Sequence, residues 1–106
     1  MSVCLFCKIV SGEIPSNKIY EDKEFLAFHD LYPKAKAHAL VIPKKHIDSL
    51  NHLQEEDEAL MGKMILLIPK IADMLGQNDG FKTQIHTGES GGQEVFHLHY
   101  HILGNH

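Results

Sequence analysis

His97-Leu98-His99-Tyr100-His101-Ile102-Leu103 is the stretch on which our interpretation of this chain depends. Three histidines alternate here with apolar residues. Successive side chains of an extended strand point to opposite faces, so the three imidazoles should share one face and the apolar residues the other. The apolar face is expected to enter a core. Three imidazoles that titrate near neutral pH then indicate chemistry on the opposite face.

Outward from this stretch, the hydrophobic pattern predicts several strands and one long helix. The expected elements are a hairpin of residues 19–20 and 25–28, a strand at 39–42, a helix at 55–75, a strand at 81–87, a loop at 88–92 and a strand at 95–103. Pro69 lies inside the helical pattern and predicts a kink or a break. Residues 4–10 fit either a helical turn or a strand. Strands and one helix without regular β-α-β alternation favour an α+β fold with an antiparallel sheet.

Length and composition favour one small soluble domain. The chain has 106 residues, and we assign residues 1–106 to a single domain. The formal charge of −4 argues against nucleic acid as the main partner. The N-terminus lacks the pattern of a signal peptide, and no apolar run could span a membrane. We therefore expect a cytoplasmic protein without a membrane partner.

The histidine strand and the glycines before it are compatible with phosphate chemistry. A neutral imidazole is a competent nucleophile at pH 7 and can form a covalent phospho-imidazole. The backbone amides around Gly88, Gly91 and Gly92 could point at an anion. Such a site needs no Mg²⁺. A zinc ion held by three histidines and an inert strand face are the alternatives from the residues alone.

Cys4 and Cys7 form a Cys-x-x-Cys pair. In a reducing compartment this spacing indicates metal binding or redox chemistry more than a structural disulfide.

The chain resembles the histidine-triad family, whose signature is His-φ-His-φ-His-φ-φ with φ apolar. The resemblance is to the Hint branch and covers nearly the whole chain. The matching positions are Phe6, residues 8–10, 13–15, 20–22 and 26–28, Asp30, His38, residues 40–47, residues 91–93 and the triad itself. The resemblance implies a five-stranded antiparallel sheet with one long and one short helix. It also implies a homodimer in which two sheets pair into one of ten strands.

The activity implied by the resemblance is hydrolysis of nucleoside 5′-phosphoramidates through a covalent nucleotidyl-histidine. The typical substrate is a purine nucleotide such as adenosine monophosphate joined to an amine. Hydrolysis of dinucleoside polyphosphates, nucleotidyl transfer and a nucleotide-binding adaptor are the alternatives.

The family pattern also implies a role for individual residues. His99 would be the nucleophile, His101 would contact the phosphate, and His38 would complete the hydrogen-bond network behind them. Asp30 would accept hydrogen bonds from the ribose hydroxyls. The full set expected around the nucleotide is Leu5, Phe6, Ile9, Phe28, His29, Asp30, Leu31, His86, Gly92, Gln93, Glu94, His99 and His101.

Two positions depart from that pattern. His86 stands where the family usually has an asparagine, and Glu94 where the phosphoramidases usually have a serine that helps the leaving group. A carboxyl can donate a proton there if its pKa is raised, or it can repel the phosphate.

The resemblance to the bacterial members also implies a structural zinc ion. Its ligands would be Cys4, Cys7, His46 and His97. Two thiolates and two imidazoles form the usual closed tetrahedron of a structural site.

Overall fold

A five-stranded antiparallel sheet forms the frame of the protein in a computed structural model that describes residues 4–105. The strands are β1 (Lys18–Glu21), β2 (Phe25–His29), β3 (Ala37–Pro43), β4 (Lys82–Gln84) and β5 (Tyr100–Gly104), in the order β1-β2-β3-β5-β4. The helices are α1 (Leu5–Ser11) and α2 (Glu58–Met74), with short 3-10 turns at Leu50–His52, Glu55–Asp57 and Glu89–Gly91. The prediction of an α+β fold with one long and one short helix is confirmed.

The central strand β3 is buried along most of its length because each of its faces meets a different helix. Ala39 and Val41 pack with the residues of α2, whereas Leu40 and Ile42 pack with those of α1. The same alternation continues in the neighbouring strand β2. A strand covered on both faces carries an unbroken apolar run, and that run is what the sequence shows at 39–42.

The β1–β2 hairpin turns without a glycine. Asp22 Oδ1 accepts hydrogen bonds from the backbone N–H groups of Glu24 and Phe25, both at 2.8 Å. This side chain supplies the turn that the hairpin prediction required.

Helix α2 lies on one face of the sheet through a stripe of apolar residues at helical spacing: Met64, Leu67, Ile68, Ile71 and Ala72. Residues 55–57 form a 3-10 turn before the α-helix, so the predicted helix is confirmed with a shorter α-helical part. The expectation of a break at Pro69 is wrong, because the helix continues through it. Pro69 is exposed, so the carbonyl that loses its partner can bind water.

Helix α1 covers the other face of the sheet, and its presence settles the choice left open for residues 4–10. Cys4 caps it by accepting a hydrogen bond from the backbone N–H of Cys7 at 3.3 Å. Phe6 and Ile9 are its buried residues.

The final strand is shorter than the sequence predicted. It begins at Tyr100 rather than at residue 95, because the chain bends at residues 95–97 and the N–H of Leu98 donates to Ile47 instead of a ladder partner. The strand predicted at 81–87 is likewise reduced to Lys82–Gln84. Leu98 and Ile102 still face the core. No helix between residues 4 and 105 has the length and apolarity needed to cross a bilayer.

A side chain at Gly104, at the end of β5, would collide with the side chain of Gln77. A Cβ added there would lie 2.2 Å from Oε1 of the buried Gln77. We expect Gly104→Ala to lower the free energy of unfolding by about 1–3 kcal/mol, because a crowded core costs that much. The same change at Gly80, where a Cβ meets nothing within 4 Å, is the control. Urea unfolding of both variants measures the effect, and equal stability would show that Gln77 moves aside.

Candidate functional site

A cavity of about 480 Å³ lies between α1, the segment before β1, the β2–β3 connection and β5. One end is apolar and is lined by Phe6, Ile9, Ile14, Phe28 and Leu40. The other end is lined by four imidazoles, those of His38, His86, His99 and His101. An apolar slot that ends in a few convergent polar groups is typical of a small-molecule site.

His99 is oriented by its own chain. Its Nδ1–H donates to the carbonyl oxygen of His97 at 2.7 Å, since a carbonyl can only accept. In the neutral ring the lone pair is then on Nε2. Burial lowers the pKa of His99, which favours that neutral form. The edge of Phe6 packs against the ring, with centroids 5.0 Å apart.

His38 and His101 form a hydrogen-bonded chain with a defined direction. The backbone N–H of Lys34 donates to His38 Nδ1 at 3.1 Å, so neutral His38 carries its proton on Nε2. That proton is donated to His101 Nδ1 at 2.9 Å. His101 therefore keeps its own proton on Nε2, where it can donate to an anion in the cavity.

Burial and the neighbouring imidazoles lower the pKa of His101. Burial, followed by the neighbouring His99, His38 and His86, lowers the pKa of His101 to about 4, and only Asp30 opposes the shift. The His86 ring lies 5.1 Å from the His101 ring. His101 is thus a neutral hydrogen-bond donor at pH 7, and His86 adds a further imidazole where the family pattern has an amide.

Cys4, Cys7, His46 and His97 form a cluster whose ligand atoms lie within 4.8 Å of one another. His97 Nε2–H donates to the carbonyl of Pro43 at 2.7 Å, and His46 Nε2–H donates to the carboxylate of Asp48. Both rings therefore turn a free Nδ1 lone pair toward the thiols. Cys4 Sγ lies 3.3 Å from Nδ1 of His97.

This donor set fits a metal ion. Two sulfurs and two imidazole nitrogens match a tetrahedral site, and hydrogen bonds on the far side of each ring are what metal-ligating histidines usually have. Burial raises the pKa of the Cys4 thiol, so a bound cation would displace a proton there. The predicted ligand set is brought together.

Asp30, His38 and His101 also lie within ligand distance of one another. However, both nitrogens of His38 are already used in the chain that starts at Lys34. This group is a hydrogen-bond relay. The three triad imidazoles form no common metal cluster within residues 4–105, which disfavours the alternative of a three-histidine zinc site.

The glycine loop is built differently from our expectation. Gly88 and Gly92 have φ angles of +74° and +88°, which favour glycine. The amides of Gly91 and Gly92 donate to carbonyls inside the loop, and the Gly88 amide donates to Gln93 Oε1 at 2.8 Å. The predicted anion cradle is therefore not formed by these amides, because they close the turn itself.

Gln93 is the predicted site residue that the structure does not bring to the cavity. Its buried side-chain amide donates to the carbonyls of Asp48 and Val95 at 2.6 and 3.0 Å. It ties the glycine loop to the segment that holds His46.

Every other predicted nucleotide-binding residue lines the cavity. Asp30 accepts a hydrogen bond from the N–H of Tyr32 at 2.8 Å and has its second oxygen 3.4 Å from His38 Nε2. Leu31 is 83% exposed and forms part of the rim.

Several lining residues were not predicted, notably Ser16, Asn17 and Lys34. These three residues lie in segments without regular secondary structure. A loop's position depends on distant contacts, here the bond from the His29 N–H to the carbonyl of Asn17 at 3.0 Å.

The HIT domain family matches residues 11–106. This chain belongs to the HIT family. HitA of Neisseria gonorrhoeae is 55% identical over 104 residues, 98% of this chain and 97% of that protein.

Solved HIT structures have the same fold. The structure of a HIT family hydrolase from Legionella pneumophila has a TM-score of 0.93 at 42% identity and covers 97% of this HIT domain and 93% of that chain. The histidine triad protein of Clostridium difficile has a TM-score of 0.94 at 48% identity and covers 100% of this chain and 93% of that chain. A histidine triad nucleotide-binding protein from Candida albicans has a TM-score of 0.85 at 31% identity and covers 93% of this chain and 72% of that chain.

Acidification should destabilise this HIT domain through His101. The pKa of His101 is 6.5 in its ordinary state and about 4 in the fold, so the unfolded chain binds its proton first. We expect the free energy of unfolding to fall as the pH drops from 6.5 toward 4. The variant His101→Asn should show a weaker pH dependence in urea titrations at constant ionic strength and metal content. Parallel curves for the two proteins would contradict this assignment.

Proposed function

We propose that this protein hydrolyses nucleoside 5′-phosphoramidates of the purine type, with His99 as the nucleophile. The observation that carries the proposal is the fixed tautomer of His99. The hydrogen bond to the His97 carbonyl occupies Nδ1 and leaves the Nε2 lone pair for a phosphorus atom in the cavity. A nucleophile held in one protonation state needs no separate base.

In the first step Nε2 of His99 bonds to the α-phosphorus, and the phosphorus–nitrogen bond breaks. The leaving nitrogen takes up a proton from the surrounding water and departs as an amine. Nε2–H of His101 donates to a phosphate oxygen, with its Nδ1 held by His38. In the second step water attacks the phosphorus, the bond between His99 Nε2 and phosphorus breaks, and a proton of the attacking water returns to solvent. This step releases the nucleoside monophosphate and restores neutral His99.

The apolar end of the cavity suits a purine base, since Phe6 and Phe28 meet edge to face there with centroids 5.6 Å apart. Asp30 also lines the cavity, with one carboxylate oxygen 3.4 Å from His38 Nε2, and is proposed to accept the ribose hydroxyls. The names of the Legionella and Candida relatives, a hydrolase and a nucleotide-binding protein, agree with this substrate class.

The variant His99→Ala should lose hydrolysis of an adenosine phosphoramidate by at least about a thousandfold in kcat, because no other group forms the covalent bond. Binding of adenosine monophosphate should persist. His52→Ala, which removes an exposed imidazole outside the cavity, is the matched control. Turnover of phosphoramidates and dinucleoside polyphosphates measured side by side tests the substrate class. Full activity of the His99 variant would refute the proposed nucleophile.

We further propose that the cluster of Cys4, Cys7, His46 and His97 holds a structural zinc ion. Zinc would supply a crosslink between α1 and the segment that leads into the triad, and no open coordination position is needed for catalysis. His97 would then be a ligand, while its carbonyl continues to orient His99.

The purified protein should contain about one zinc per chain, as expected for a closed site of four ligands. The double variant Cys4→Ser/Cys7→Ser should contain none and should unfold at lower denaturant concentration, since metal binding energy contributes to folding. Ser90→Ala, an exposed change elsewhere, should keep its zinc. Metal-free wild-type protein with both thiols freely titratable would refute the assignment.

Two copies are proposed to pair through β4, whose outer edge has no strand partner within residues 4–105. Helix α2 also exposes Ile65 and Leu66, the latter by 79%. An open strand edge and exposed apolar side chains are both typical of surfaces that another chain covers. Light scattering should give the mass of two chains; a single-chain mass at high concentration would contradict the dimer.

A further inference from the structure

The hydroxyl of Ser16 is a buried polar group that the fold does not use. Its Oγ is shielded from water and has no hydrogen-bond partner within residues 4–105. Ser16 lines the cavity two residues after Ile14, which packs with the apolar lining residues Phe6, Ile9 and Phe28. Buried polar side-chain atoms nearly always have a partner, and leaving one without costs free energy. A hydroxyl in this position therefore requires an explanation.

The location of Ser16 is fixed by its neighbours. The N–H of His29 donates to the carbonyl of Asn17 at 3.0 Å, which holds this segment against the end of β2. Pro15 restricts the backbone on the other side. Ile9 and Phe28, in the apolar cluster that Ile14 joins, offer no hydrogen bond.

We propose that the Ser16 hydroxyl is the hydrogen-bond partner of the polar edge of a purine base, and so helps to select the base. This inference rests on the proposed binding of a purine nucleotide. The faces of a purine are apolar and suit the side chains of Phe6 and Phe28, whereas its edge carries donors and acceptors. A hydroxyl can donate and accept, and rotation about χ1 would turn the Ser16 oxygen from its shielded position toward a base in the cavity.

A ligand that fills the apolar end satisfies Ser16 and is bound more tightly for that reason. The contribution concerns the base alone, because the phosphate is handled by the imidazoles at the far end of the cavity. The effect of removing the hydroxyl should therefore depend on whether the ligand has a base.

The experiment compares wild type with Ser16→Ala by calorimetric titration with two ligands that are not hydrolysed, adenosine 5′-monophosphate and ribose 5-phosphate. The variant should bind adenosine monophosphate about five- to tenfold more weakly, because one neutral hydrogen bond contributes that much to affinity. It should bind ribose 5-phosphate as tightly as wild type does. Ser11→Ala is the matched control. The Ser11 hydroxyl bonds the Lys8 carbonyl at 3.0 Å outside the cavity, so its loss should change neither affinity.

Unfolding of the ligand-free proteins separates this role from a structural one. Removing an unpartnered buried oxygen should leave the stability of Ser16→Ala equal to or above that of wild type. Unchanged affinity for adenosine monophosphate, or an equal loss for both ligands, would overturn the proposal. Wild-type protein that binds adenosine monophosphate but hydrolyses no phosphoramidate would refute the proposed reaction and leave the role of Ser16 standing. Wild-type protein that does not bind adenosine monophosphate would overturn both.

Discussion

The antiparallel pairing of β3 with β5 is the constraint on which the site depends. In this register Leu40 stands opposite His101, and His38 lies on the diagonal to it. Diagonal neighbours on one face of a sheet are within reach of long side chains, and the bond between the two imidazoles follows from that placement. A slip of one residue would turn His101 into the core beneath α2 and end the relay.

The buried imidazoles are tolerated because each has a hydrogen-bond partner that also fixes its tautomer. An imidazole without a partner in this interior would be costly. The carbonyls of Pro43 and His97 orient His97 and His99, and a backbone N–H orients His38. The same bonds that make burial possible therefore determine which nitrogen is left for a metal, a phosphorus atom or an anion.

Much of the fold could be predicted, because its signals are local or follow a simple period. The apolar run at 39–42 and the helical spacing within 55–75 both led to the observed elements. The predictions failed where a local pattern in the sequence did not match the folded structure. A break was one of the two outcomes expected at Pro69, whereas the helix continues through it. The histidine strand was extended over residues 95–99, where a bond to Ile47 replaces the ladder.

Many of the residues that line the cavity were predicted, but the hydrogen bonds between them were not. The resemblance to the family supplied the residues around the nucleotide. It did not supply the inward-turned amides of the glycine loop, the structural role of Gln93 or the unpartnered hydroxyl of Ser16.

The sequence by itself determined the kinds of groups available and their alternation on the last strand, because a period of two follows from backbone geometry alone. Tertiary structure decided the use of each imidazole. The partners that divide the triad come from distant parts of the chain: Cys4 for His97 and His38 for His101. A hydrogen bond depends on distance and direction in space, and neither is specified until the sheet has brought those segments together.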